Sequence, residues 1–440
     1  MIKKIQAYFA ELLPGGVSYI KQSTVAKNAT SLYIIQFSTI ILPLITIPYV
    51  VRVLGPANFG IIGFCQGLIA YFALMVDYGF GLSSTRDIAV NQGNKEKINH
   101  IFTATIVAKL VILAIGLIVL ASLAVFVPMI KERILFMLVA YMGILGNVLF
   151  PVWLYQGYEK MQFLTVSSLI SNGIMVVLVF LLVKADNGIL IYLAIISFTQ
   201  VINGLICLVR ALFEFKVKIA KISINDIAFC LKDSWALFLS NASGSLYMAG
   251  NSFILGLFVA PTLVGYYSGA EKIIKGILSL LSPICQAIYP MFSKLVVQSK
   301  ERFFYLTERL LVLMGLIGLA MTIGSLVFAP LLVKILLGSN FIPSVFLVRM
   351  MSPIPIFVSL SFILGGQILI PLKKDKEYAW SLFLGGIVNV VFVLLLAKKL
   401  GPDASAIGLL LAEISVVSLM FYYFLKSKKT MMELKLNKGN

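Results

Sequence analysis

The chain has 440 residues, of which 60% are hydrophobic and 12% charged, and its mean hydropathy is +1.00; an ordinary soluble domain, about half apolar and about a quarter charged, is excluded. A formal net charge of +18 would direct a soluble protein toward nucleic acid, but in so apolar a chain membrane topology and anionic inner-leaflet lipid account for it, and no nucleic-acid partner is expected. A single histidine, His100, argues against a histidine-based catalytic system or metal centre, and Cys65, Cys207, Cys230 and Cys285 form no C-x-x-C pair and read as packing residues.

In chain order, Met1 to Lys27 lacks the apolar core and small-residue cleavage site of a signal peptide and is expected to stay as an inner-surface element. Apolar runs of about twenty residues, the length that crosses about 30 Å of hydrocarbon, then recur to the end of the chain. They cover 30–51, 59–84, 101–127, 134–156, 163–183 and 189–209, then 234–258, 264–291, 310–333, 345–370, 379–397 and 404–425. The expected fold is therefore all-α: a polytopic integral membrane protein of about twelve transmembrane helices. With the N-terminus inside, 25 Lys and Arg fall in inner segments and 7 in outer ones, which puts both termini in the cytoplasm.

Residues 211–232 form the longest internal connection and fall at the midpoint. Lys216, Lys218 and Lys221 alternate with Val217 and Ile219, and Asn225 or Asp226 is expected to cap a short amphipathic helix through Lys232 on the inner membrane surface. This linker divides an N-terminal six-helix lobe, 1–210, from a C-terminal one, 233–425, followed by a basic tail, 426–440. An offset of 205 residues lays Pro56 on Pro261, Gly60 on Gly265, Gln36 on Asn241 and Gln66 on Glu271. Because six is even, the lobes share one orientation, the parallel-repeat plan in which substrate binds between halves. Pro43, Pro48, Pro283, Pro353 and Pro355 lie inside spans, where each removes a backbone donor and bends its helix.

Seven ionisable side chains interrupt the spans: Asp77, Lys109, Glu271, Lys272, Lys275, Arg349 and Glu413. Each costs about 2.5–3.5 kcal/mol at the centre of a spanning helix, so they are expected to face a shared polar interior. Asp77 and Lys109 lie at matching depths on adjacent helices, suited either to pair or to serve substrate or protons. Glu271 and Lys275 have the favourable i, i+4 order, and Lys272 beside them leaves a surplus positive charge. That surplus either meets an anionic substrate group, phosphate being the natural match, or snorkels to the outer interface. Arg349 is near enough to its helix end to snorkel. Glu413 has only Leu409, Leu410, Val416 and Val417 as helix neighbours, so burial favours its neutral form and makes it the first candidate for ion coupling, with Asp77 second.

The run Val53-Leu54-Gly55-Pro56-Ala57-Asn58-Phe59-Gly60, then Asp77-Tyr78-Gly79-Phe80-Gly81 and Ser84-Thr85-Arg86-Asp87, resembles the opening of Wzx-type polysaccharide repeat-unit flippases. Val264-Gly265-Tyr266-Tyr267-Ser268-Gly269-Ala270-Glu271-Lys272-Ile273 is similar to the opening of their second lobe, and a Leu400-Gly401-Pro402 turn precedes the last span. The resemblance implies the multidrug/oligosaccharidyl-lipid/polysaccharide exporter superfamily, a bacterial plasma (inner) membrane location and, as cargo, an oligosaccharide on undecaprenyl diphosphate turned from inner to outer leaflet. It implies no cofactor and no catalytic residue. Candidate partners are membrane lipids, H+ or Na+ as coupling ion, and a polysaccharide polymerase and chain-length regulator. The family's charged cavity transfers onto Arg52, Asp77, Arg86, Lys109, Glu271, Lys272 and Lys275. Lipid II flippases carry two further helices not found in this chain. A polytopic polymerase or ligase should show a long outer loop with reactive groups, and a cation-coupled drug exporter an acidic cavity; this chain has short outer loops and surplus buried lysine.

Overall fold

The computed structural model describes residues 24–184 and 188–436, and the expected surface element before Thr24 lies outside them. Helices cover all twelve expected spans, and no strand occurs among the described residues. Helix α1 (Thr24–Asp77) merges the first two spans across a kink at Gly55, whose φ of 73° suits glycine. There follow α2 (Phe80–Val90), α3 (Lys95–Phe126), α4 (Pro128–Lys131), α5 (Ile134–Leu149), α6 (Val152–Gly157), α7 (Gln162–Leu182) and α8 (Gly188–Glu214). The second half comprises α9 (Ile224–Ala249), α10 (Asn251–Gly256), α11 (Pro261–Ser279), α12 (Ser282–Gln298), α13 (Lys300–Leu336), α14 (Ser344–Met351), α15 (Ile354–Ser361), a π-helical stretch Phe362–Leu369, α16 (Asp375–Leu400) and α17 (Pro402–Leu436).

Among the described residues, nine helical segments are long and apolar enough to cross a membrane. Their outward faces are apolar, as Leu110, Ile115, Ile118, Phe126, Ile323, Val327, Leu331 and Leu395 show. In water such a surface would aggregate, whereas hydrocarbon makes it the stable outside. The chain is a multi-pass membrane protein. The seventh and eighth spans, α9–α10 and α11–α12, fall outside the nine because Asn251, Ser252, Ser268, Glu271, Lys272 and Lys275 dilute their apolar character.

Helix breaks recur at matching places in the two halves. The second span breaks at Tyr78-Gly79, both at positive φ, and the eighth at Leu280-Leu281 ahead of Pro283. The fourth breaks at Phe150-Pro151 and the tenth at Ser352-Pro353. Three of these four sites carry a proline at or just after the break, where the missing N–H does no harm at a first helical turn. Pro43 and Pro48, by contrast, sit within helix α1.

The linker departs from expectation. Residues 216–223 are not helical, and no separate short helix forms: α9 starts at Ile224 and runs unbroken to Ala249. Its cap is Ser223 rather than Asn225 or Asp226, in a capping box with Asp226. Sequence reading favoured the later residues because capping was judged one residue at a time. The Asn99 carboxamide oxygen accepts from Lys218 N (2.8 Å) and the Thr103 hydroxyl from Ala220 N (2.9 Å), so the linker is pinned to α3. The Ser223 N–H and hydroxyl hold the Asp226 carboxyl below its ordinary value of 3.8, with His100 adding to the effect. A depressed carboxyl contributes stability above its unfolded value and loses it as pH falls through the folded one, so this cap should persist at neutral pH and fail only below pH 3.8. Ser223→Ala is expected to cost about 1 kcal/mol, read as a lower melting temperature in detergent at pH 7.

Candidate functional site at the seam between the lobes

The two lobes meet where sequence repeats meet. A Cβ placed on Gly60 would lie 1.8 Å from the Pro261 carbonyl oxygen, and one on Gly265 would lie 1.9 Å from the Pro56 carbonyl oxygen. This reciprocal contact between residues paired by the 205-residue offset is the signature of a two-fold axis passing between α1 and α11. Of the two other offset pairs, Gln36 and Asn241 fall on side chains outside those described, whereas Gln66 and Glu271 are both described. Further along, a Cβ on Gly63 would meet the Ser268 hydroxyl at 2.3 Å, and one on Gly67 would meet the Phe253 backbone at 2.9 Å. Small residues let two backbones approach where a larger side chain would hold the helices apart.

The charged cluster begins nearly two turns beyond this crossing, at Glu271. Phe59 of the first lobe meets Phe341 of the second edge to face, at 6.0 Å, and the Lys272 ammonium lies over the Phe59 ring at 5.7 Å. Lys275 pairs with Glu271 at 3.0 Å, with side chains 41% and 10% exposed respectively, so the lysine is the open member. Glu271 also accepts from the Ser252 hydroxyl (3.3 Å), which is within 2.8 Å of that of Ser268. Behind them a buried chain runs from Asn389 to the Asn251 carboxamide (2.7 Å) and from Asn251 to the Tyr267 hydroxyl (3.1 Å), joining α16, α10 and α11. Glu271 thus pairs with Lys275, while Lys272 next to it lies against the Phe59 ring.

The seven ionisable groups are spread over both halves of the chain. Asp77 and Lys109 pair at 3.3 Å and line a 480 Å³ cavity inside the first lobe. Glu413 is buried in the second lobe at 1% exposure, and Arg349 is exposed, as a snorkelling side chain should be. Arg52 donates to the Ile335 carbonyl (2.5 Å) near the C-terminal end of α13, tying the lobes together at the Gly55 end. Arg86 bridges to Asp233 of the second lobe at 2.7 Å, next to a Ser83–Ser234 contact of 2.7 Å and a Tyr78–Phe238 stack at 4.8 Å. Asp233, Ser252, Asn251 and Asn389 were missed at the sequence level. The last three were detectable as polar residues inside apolar helices, the usual interhelical hydrogen-bonding groups.

The Asp77–Lys109 pair is asymmetric, with side chains 72% and 3% exposed. Asp77→Asn removes the charge partner of a buried ammonium, whereas Lys109→Met removes the buried ammonium itself and leaves a carboxylate already open. We expect Asp77→Asn to destabilise by roughly 1–3 kcal/mol and Lys109→Met by less, measured as thermal unfolding in detergent.

Comparison with known proteins follows the same lines. The family described as polysaccharide biosynthesis protein matches residues 25–296. A protein of Escherichia coli (strain K12) named "Putative O-antigen transporter" is 35% identical over 402 residues, covering 91% of this chain and 97% of its own. The chain belongs to this family. Membership bears out the resemblance to Wzx-type flippases. Its fold is that of an inward-facing MATE family multidrug resistance transporter of the MOP superfamily, with TM-score 0.72, 16% identity and coverage of 93% of this chain and 99% of the other. The lipid II flippase MurJ in an inward closed conformation gives TM-score 0.69 at 13% identity, covering 90% and 87%. At those identities the likeness concerns the fold.

Proposed function

We propose that the protein is a flippase that carries an undecaprenyl-diphosphate-linked polysaccharide repeat unit, such as an O-antigen unit, from the inner to the outer leaflet of the bacterial plasma membrane by alternating access of its two lobes. The observation that carries this reading is the lysine pair at the seam, with Lys275 paired to Glu271 and Lys272 over the Phe59 ring on the helix that crosses the other lobe. A sugar-diphosphate head group is large, polar and anionic, and unaided passage through about 30 Å of hydrocarbon is prohibitive. Lysine ammonium groups replace part of its hydration, while the prenyl chain stays in lipid.

Both termini are assigned to the cytoplasm from the 25 to 7 distribution of Lys and Arg. On that orientation the Gly60–Gly265 crossing and the Arg52–Ile335 bond tie the lobes at the outer end, and the Arg86–Asp233 and Ser83–Ser234 contacts tie them at the inner end. Glu413 and Asp77 are the proposed coupling groups, for H+ or Na+. A drug exporter of the same fold is disfavoured because a seam with two lysines to one carboxylate repels cationic cargo. Deleting the gene should abolish surface polysaccharide and leave drug sensitivity unchanged, with restoration by the wild-type gene; unchanged polysaccharide in the deletion strain rejects the proposal.

A further inference from the structure

The first lobe holds a polar cavity whose lining shares no residue with the lysine seam, and it carries more than the coupling group proposed at Asp77. Its 480 Å³ are lined by Asp77, Lys109, Asn147, Trp153 and Gln156 among others. Asn147 also lines an adjoining 170 Å³ pocket, together with Gln66, Ser197 and Gln200. The larger volume falls within the range of about 300–1,000 Å³ typical of small-molecule sites.

Three observations identify the class of ligand. First, the charges cancel: Lys109 is held by Asp77 at 3.3 Å, so neither an anion nor a cation is favoured by net charge. Second, the remaining polar groups are planar amides and a carboxylate that is 72% exposed. Asn147 and Gln200 are exposed rather than packed between helices, so they are not spent as interhelical glue. Each amide offers a donor and an acceptor side by side, and the open Asp77 carboxylate accepts, a combination that matches the adjacent hydroxyls of a pyranose ring. Third, Trp153 is 1% exposed, and its indole N–H has no acceptor among the described residues. A buried donor left unmade costs about 1–3 kcal/mol, and because this N–H is itself covered, a shift of Trp153 on binding is what would bring it to a ligand oxygen.

We propose that this cavity is a saccharide subsite that takes a neutral pyranose of the cargo glycan while the seam lysines hold the diphosphate. The inference rests on the flippase reading above and adds where the sugar is recognised. Trp153, Trp235 and Trp380 are the three tryptophans of the chain, so in a Trp235→Phe/Trp380→Phe background Trp153 becomes the fluorescent reporter. The full chain in lipid nanodiscs is titrated with free glucose, galactose and N-acetylglucosamine, and separately with undecaprenyl phosphate, which carries no sugar. At least one sugar should change Trp153 emission saturably. Asn147→Leu and Gln156→Leu should each weaken that sugar about tenfold without altering undecaprenyl phosphate binding. If no sugar gives a saturable change, or if both variants bind it as the parent does, the subsite is rejected. Failure of undecaprenyl phosphate to bind the parent protein overturns instead the flippase reading on which the subsite rests.

Discussion

Replacing Gly60 or Gly265 by valine should abolish most polysaccharide export while the protein still reaches the membrane. The obstruction is backbone against backbone: the new Cβ would lie 1.8 Å from the Pro261 carbonyl oxygen in one case and 1.9 Å from that of Pro56 in the other. Ordinary carbon contacts begin near about 3.5 Å, so the helices must separate by roughly 1.5–2 Å, and no rotamer change relieves the clash. Separation at this point also pulls Phe59 from Phe341 and disturbs the ring beneath Lys272. Gly63→Ala should be milder, because the atom it meets at 2.3 Å is the Ser268 hydroxyl, which can rotate. Gly173→Ala, with nothing within 4 Å, should be neutral or stabilising by up to about 1 kcal/mol. Surface polysaccharide in the complemented deletion strain, normalised to membrane protein level, is the readout. Full export by Gly60→Val would show that the lobes do not depend on this contact.

Lys275→Ala should reduce export by about tenfold to a hundredfold, the equivalent of one charge-assisted contact to the diphosphate of about 1.5–3 kcal/mol. Lys272→Ala should fall in the same range or somewhat below it, since its ammonium already rests on the Phe59 ring. The complication is structural, because removing Lys275 also strips Glu271, 10% exposed, of its ion-pair partner. The double variant Glu271→Gln/Lys275→Ala separates the two effects. It should recover thermal stability, since a neutral amide remains beside Ser252, yet it should not recover export. Recovery of both would make the lysine a structural element of α11 and remove it from the substrate site. Lys275→Arg, which keeps the charge but replaces a point ammonium by a planar fork, should retain partial export.

Much of this was legible in the residues themselves. Twenty-residue apolar runs located the helices, because the bilayer sets their length and leaves little freedom. The pairing of Pro56 and Gly60 with Pro261 and Gly265, weak as a sequence match, is the point at which the two repeats touch. A symmetric interface requires the same small residue from both sides. The Glu271–Lys275 pair followed from helical spacing alone. What could not be read was the partition of the charges, since a one-dimensional pattern gives depth but not which bundle interior a side chain enters. Asp77 and Lys109 pair across two helices of the first half, a contact that matching depth permits but does not require. Arg52 and Arg86 looked like cavity residues, but their partners, the Ile335 carbonyl and Asp233, lie far off in sequence and are visible only after folding. The Trp153 indole gave no signal, because a tryptophan in an apolar helix is ordinarily packing.

The most direct test of the lysine seam is a reconstituted flipping assay, in which purified protein in liposomes is supplied with a fluorescent undecaprenyl-diphosphate saccharide and leaflet exchange is followed by a membrane-impermeant quencher. The protein should accelerate exchange over protein-free vesicles, and Lys272→Ala/Lys275→Ala should return the rate to that background. Exchange undiminished in the double variant, or none with the wild-type protein under an imposed proton or sodium gradient, would contradict it.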